Sequence, residues 1–240
     1  MEIRGRKLSD EIENTAALKP LIPLLKMMDG LDAGSQDYHE EDDLLEHTLM
    51  VYDETKKLLD SESEDVDRDI PLLMALSHDI GKLMTQDKQN DALHDVFGSR
   101  MIEFIYTKTT VDREIVDALQ HGCEQHLRIK TIAGWAGSTM NPKNIIDTVQ
   151  YYDSEQVSIT DITRLAVADA RGREPTQEVD VETIRRRLEM ATEVVETVDH
   201  DYVLDKRDSS MEDYEDSAIH QMLVQDRVEL LKEKMEEEDE

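Results

Sequence analysis

The sequence predicts an all-α protein, a helical bundle with a C-terminal helical extension. Three observations carry this. Apolar residues are 38% of the chain but aromatics only 4%, so the core must rest on Leu, Ile, Val, Met and Ala. That palette favours packed helices over a β-sandwich. Apolar positions recur at helical spacing in segment after segment, and no repeat or strand-hairpin pattern is convincing. A chain of 240 residues can bury a full core and suits one domain with an appendage.

Residues 1–14 are polar and read as a mobile start. Asn14 to Leu18 begins a short helix toward Pro20, and Leu21 to Met28 forms a second apolar helix or turn. Gly30 to Asp43 is a loop that ends near Tyr38 and His39, the latter an exposed loop histidine. A helix over 44–60 places Leu44, Leu45, Thr48, Val51, Leu58 and Leu59 on one face, with His47 near its buried side. Asp60 to Asp69 is an acidic linker. Leu72, Leu73, Ala75 and Leu76 then mark an apolar helix with Pro71 in its first turn. It ends in His78-Asp79, with Gly81 as terminator and Lys82 behind.

After a loop at 84–93, His94 opens a helix. Another runs from Val111 to His121-Gly122, with Ile115, Val116 and Leu119 inward and His126 close behind. Residues 127–140 read as a loop containing Arg128, Lys130 and Trp135. Asn141-Pro142 is an N-cap followed by a first-turn proline. Lys143 sits against the helix dipole there, which hints at an anion nearby. Thr160 caps the helix that carries Asp169 and ends at Gly172. From Val181 to Val198 the spacing gives a long amphipathic helix. Asp199 to Asp216 is an acidic connector before a last helix, Ile219 to Met235, which either folds back or serves a homodimer.

The formal net charge is −30, from 57 Asp and Glu against 27 Lys and Arg. Such a surface repels phosphate backbones at low salt, so general nucleic-acid binding is disfavoured. The acidity is spread along the chain, as in proteins adapted to high salt. At molar salt the Debye length is only about 3 Å, so an RNA end is opposed less strongly there. The single Cys, Cys123, excludes an internal disulfide framework, and a buried inert thiol is a better reading than a ligand beside His121. No signal peptide or long apolar span is present, so a soluble, cytoplasmic protein without membrane contact is expected.

Four polar residues sit on apolar helices: His47, the pair His78-Asp79, and Asp169, where an unpaired carboxylate would be costly. Imidazole and carboxylate together suit a divalent Mn, Ni, Co, Mg, Fe or Zn ion without choosing among them. The pattern H…HD…D resembles HD-domain metal-dependent phosphohydrolases. It is closer still to the HD domain of bacterial tRNA nucleotidyltransferases, the CCA-adding enzymes. The likeness lies in Tyr38-His39-Glu40-Glu41 with Glu46-His47-Thr48-Leu49-Met50-Val51, in Ala75-Leu76-Ser77-His78-Asp79-Ile80-Gly81-Lys82, in Asn141-Pro142-Lys143, and in Ala168-Asp169-Ala170-Arg171-Gly172-Arg173. The nucleotidyltransferase head has no counterpart, so nucleotide addition is not implied.

With the resemblance supplying an HD domain over 15–198, the expected division is a mobile segment 1–14, that domain, and an acidic connector with a C-terminal helix over 199–240. It implies that His47, His78, Asp79 and Asp169 bind one ion, leaving two octahedral positions for water and substrate. Asp79 would orient or deprotonate water, and Lys82 would neutralise a phosphate oxygen. His94 and His121 are the candidates for a second ion or for direct contact with phosphate, with His126 behind them. Arg171, Arg173, Lys143 and His126 are candidates for substrate binding, although either arginine could instead pair with nearby carboxylates. The implied substrate is a small nucleotide-type phosphomonoester or 2′,3′-cyclic phosphodiester. Two other classes stay open: a di-iron HD oxygenase, and a non-catalytic module that binds a nucleotide or RNA end. The spread acidity itself predicts a salt-requiring fold. A melting series in KCl should show Tm rising with salt, and a flat or falling series would overturn that expectation.

Overall fold

The computed structural model describes residues 1–33, 43–62, 67–85, 93–132, 141–154, 158–173, 180–207 and 214–238. The all-α expectation holds: ten α-helices are described, with one two-stranded hairpin. The chain forms two compact units, residues 1–130 with 158–179, and residues 131–157 with 180–240.

The first unit opens with a feature absent from the sequence reading. Strands β1 (Glu2–Ile3) and β2 (Arg6–Lys7) pair antiparallel around Arg4 and Gly5, whose φ angles are +44° and +78°. Positive φ at both central residues matches the twist of a tight hairpin. Ile3, Leu8 and Ile12 are buried, and Arg4 pairs with Asp29, Asp43 and Glu46. Residues 1–12 are therefore folded rather than mobile. Helix α1 (Thr15–Met28) is one helix, not two, with Pro20 and Pro23 inside it. Asn14 caps it by accepting from the Ala17 amide at 3.0 Å. Ala17, Leu18, Leu21, Leu25 and Met28 form one buried stripe, and that packing outweighs the roughly 3 kcal/mol cost of an interior proline.

Helix α2 (Leu44–Asp60) starts at Asp43, whose carboxylate accepts from the Glu46 amide at 2.8 Å. Helix α3 (Asp69–Ser77) has every residue from Pro71 to Ser77 buried, so it is apolar all round and sits inside the unit. A 3-10 turn over Ile80–Leu83 follows and packs on α4 (His94–Tyr106). A Cβ on Gly81 would lie 1.7 Å from the His94 carbonyl oxygen, so only glycine permits this approach. That, and not helix termination, is its role. Helix α5 (Arg113–Ile132) runs straight through His121-Gly122, where the sequence suggested an end. Gly122 is a contact glycine instead: a Cβ there would stand 3.3 Å from the Met74 side chain.

The second unit contains α6 (Pro142–Ser154), α8 (Val181–Thr197), α9 (His200–Asp205) and α10 (Asp216–Glu238). Asn141 caps α6 as expected, accepting from the Lys143 amide at 2.9 Å. Helix α10 folds back on α6, α8 and α9, burying Ile219, Leu223 and Leu231. Buried Asp226 holds Lys206 at 3.0 Å and Arg207 at 2.6 Å, while Arg227 donates to the carbonyls of Val195 and Val198 at the end of α8. Helices α6 and α8 thus lie in one unit with α10. The connector also holds a helix, α9, capped by Asp199 through the Tyr202 amide at 2.8 Å.

Helix α7 (Ile159–Arg171) belongs to the first unit and packs along α2 and α3. Its cap is Ser158, not Thr160, through the Asp161 amide at 3.2 Å. Beyond it, a Cβ on Gly172 would meet the Val51 backbone nitrogen at 2.6 Å, so this chain turn lies directly on α2. Two glycine substitutions separate these roles. Gly81→Ala should cost about 3 kcal/mol, since a rigid backbone must move. Gly122→Ala should cost about 1 kcal/mol or less, since only flexible Met74 need shift and the helix gains propensity. Urea unfolding of both variants tests the contrast.

Candidate metal centre

The buried end of α3 delivers two polar groups in succession. His78 keeps helical backbone angles as the C-cap, and Asp79 follows at φ −108° to lead the 3-10 turn. Around Asp79 stand four imidazoles from four places: His47 on α2, His78, His94 at the start of α4, and His126 on α5. All five side chains are buried. The two oxygens of Asp79 face different ways. Oδ2 lies 3.4 Å from Nε2 of His78, 3.5 Å from Nε2 of His47 and 2.8 Å from Nζ of Lys82. Oδ1 lies 3.4 Å from Nε2 of His94 and 3.8 Å from Nε2 of His126. Asp169 on α7 places its Oδ1 3.3 Å from Nε2 of His47.

Two of these histidines have their tautomer set by the backbone. Nδ1 of His78 is 2.9 Å from the Ala75 carbonyl, and Nδ1 of His126 is 2.9 Å from the Cys123 carbonyl. A carbonyl only accepts, so each Nδ1 carries the proton and each Nε2 presents a lone pair. Burial, with a smaller contribution from the neighbouring His78, pushes His126 down from 6.5 to about 3. It is neutral at physiological pH, the state a ligand needs. Burial alone would raise the Asp79 carboxyl, but Lys82 and the imidazoles of His78 and His94 outweigh it and hold the group well below 3.8. The Cys123 thiol, three residues from His126, is pushed up by burial and donates to the Ser77 carbonyl at 3.3 Å, an inert packing role.

Nε2 of His78 and Oδ1 of Asp79 are buried with no hydrogen-bond partner among the described residues. Leaving such atoms unsatisfied is costly, and a bound cation would satisfy both. Two groups bring their ligand atoms within 4.8 Å of one another: His47, His78 and Asp79, and Asp79, His94 and His126. Nitrogen and carboxylate donors fit a borderline divalent ion. The profile of the HD domain matches residues 44–171, more than half of the chain.

The chain belongs to the HD-domain family. No curated protein and no solved structure matches it. HD domains are typically metal-dependent phosphohydrolases, and the residues gathered here suit that role. No helix among the described residues is long and apolar enough to cross a membrane.

Within this HD domain, His47, His78, Asp79, Asp169, Lys82 and His94 lie together. His121 does not join them. It is half-buried on α5 and belongs to neither ligand group, and His126 takes its place beside His94. Five residues rotate a helix by about 140° relative to a starting position, so the two histidines cannot share a face. The signal for His126 was present: Val116, Leu119, Cys123, His126 and Ile129 make one buried stripe, legible once the helix is carried past Gly122. Arg173 is buried behind Asp169, donating to its Oδ1 at 2.6 Å and its carbonyl at 3.0 Å. Arg171 is half-buried at the end of α7, and exposed Lys143 in the second unit pairs with Asp147 at 2.6 Å. Lys82 also donates to the Ala33 carbonyl at 2.8 Å. Tyr38 and His39 lie outside the described residues.

His126 makes the metal-free protein sensitive to mild acid. The folded chain keeps it neutral down to about 3, while the unfolded chain protonates it near 6.5. Its contribution is complete above 6.5 and is lost as pH falls through the window down to about 3. The loss approaches about 1.4 kcal/mol per pH unit. The opposing window of Asp79 opens only below 3.8, so between pH about 5.5 and about 7.5 the His126 effect stands alone of the two. Chemical unfolding in chelator at pH about 7.5 and about 5.5 should show a smaller pH dependence for His126→Gln than for the wild type.

Proposed function

We propose that the chain is a metal-dependent phosphohydrolase acting on small nucleotide-type phosphomonoesters or 2′,3′-cyclic phosphodiesters. The observation that carries this reading is the position of Asp79 between two imidazole pairs, one pair at each carboxylate oxygen. His47, His78, Asp79 and Asp169 would hold a first ion, and Asp79, His94 and His126 a second. When bound, a divalent ion supplies Lewis acidity toward a phosphoryl oxygen and acidifies water.

The side chains of this site do the remaining work. Asp79, kept ionised by its surroundings, would hold the ions and orient an attacking water, while its depressed basicity makes the bound ion the main source of the water's acidity. Lys82 holds Oδ2 of Asp79 in place from the side of Ala33, so it acts by positioning the carboxylate. Asp79 and Asp169 each meet a buried cation, Lys82 and Arg173. Among the described residues the negative charge of each carboxylate is thus met by a cation, and a divalent ion would add positive charge that favours an anionic substrate. The resemblance to the HD domain of CCA-adding enzymes supports the nucleotide class. The second imidazole pair supports one other reading, oxidative cleavage at two irons.

Hydrolysis of 2′,3′-cyclic AMP, 2′-AMP, 3′-AMP and an aryl phosphate in high salt, with Mn, Ni, Co, Mg or Fe, separates these readings. The expected result is metal-dependent turnover that falls by about 10³-fold or more in Asp79→Ala, the scale of losing an essential group. No turnover with any ion, together with two irons per chain, would replace hydrolysis by oxygen chemistry. No turnover and no bound metal would leave a binding module.

A further inference from the structure

Arg173 is the least expected neighbour of the centre. It lies two residues past the end of α7, with side-chain exposure of 5%, and it reaches back four residues to Asp169. Its grip has two points. Nη2 meets Oδ1 at 2.6 Å and Nε meets the backbone carbonyl of the same residue at 3.0 Å. Oδ1 in turn stands 3.3 Å from Nε2 of His47. The chain turn that makes this reach possible is fixed by Gly172, where any Cβ would collide with α2 at Val51.

We propose that Arg173 is a positioning residue for the metal ligand Asp169, and not a contact for substrate phosphate. The inference rests on the metal-binding reading above. A carboxylate on a single χ1–χ2 side chain can rotate, and the planar guanidinium removes that freedom by tying side chain and backbone of one residue to one rigid fork. Buried behind Asp169, the same group has no exposed face to offer a substrate. A partner of this kind sets the direction of a ligand rather than its identity.

The direct test keeps the charge and removes the geometry. Arg173→Lys carries one ammonium in place of the fork, so it cannot hold Oδ1 and the carbonyl in the same plane. Mn²⁺ titrated calorimetrically into the metal-free full-length protein should bind about 10-fold more weakly, the lower end of the effect of such outer partners. The EPR spectrum of the bound Mn²⁺ should change, while KM at saturating Mn²⁺ stays unchanged. Unaltered Mn²⁺ affinity with a raised KM would overturn the proposal and make Arg173 a substrate contact. Should the Lys variant fail to fold, Arg173→Gln, which retains a planar donor, is read by the same split: reduced kcat at constant KM supports positioning, and raised KM at constant kcat overturns it. A wild type that binds no Mn²⁺ or other divalent ion overturns the metal-binding reading itself, a result distinct from any difference between variant and wild type.

Discussion

The first unit is built around one expensive act, the burial of the Asp79 carboxylate. Taking an unpaired carboxylate out of water costs several kcal/mol even after relaxation, far more than a single neutral hydrogen bond returns. The fold meets that cost by enclosure. Lys82 approaches from the same chain turn, His47 from α2, His94 from α4 and His126 from α5. Each helix must therefore point a polar residue inward at a fixed height. The wholly apolar α3 anchors the arrangement, because only a helix buried on all sides can end at the centre of a unit. Gly81 then lets α4 come close enough for His94 to reach Oδ1.

The same economy appears in the histidines. His78 ends one helix and His126 lies within another, yet both give Nδ1–H to the carbonyl three residues back. The helix itself thus selects the tautomer, with no further side chain needed to orient the ring. Depressing the basicity of His126 by burial and keeping Asp79 ionised beside Lys82 are two outcomes of one enclosure. Together they produce a neutral imidazole beside a charged carboxylate, the pair of protonation states that suits a cation.

Much of this was legible from the chain alone. Helix α2 and the helix carrying Asp169 followed from apolar spacing, and the inward placement of His47, His78, Asp79 and Asp169 followed from polar residues set on apolar helices. What was not legible depended on contacts distant in sequence. Pro20 reads as a break because the stripe that overrules it is rewarded only against neighbouring helices. Gly122 read as a stop because a glycine that admits Met74 looks, in sequence, like one that ends a helix. With the helix ended at Gly122, His126 ranks behind His121; carried through Gly122, the same helix sets His126 beside His94. For Arg173 the sequence leaves two readings open, a phosphate contact or a carboxylate partner, because the turn at Gly172 that brings it to Asp169 is not visible in sequence.

The contrast between surface and centre bears on what such a site can accept. A formal charge of −30 covers the chain, while the two described carboxylates of the centre are matched by Lys82 and Arg173. A polymeric anion must lay many phosphates along the acidic exterior, and its repulsion grows with each one. A small anion brings one or two charges and, once inside, meets mainly the local field, since exposed charges are screened beyond about 8 Å at physiological salt. This charge pattern supports the proposal of a small phosphate substrate over a long strand. Under that proposal a terminal or mononucleotide phosphate meets less of this repulsion than a long nucleic-acid strand, and the difference narrows as salt screens the acidic surface.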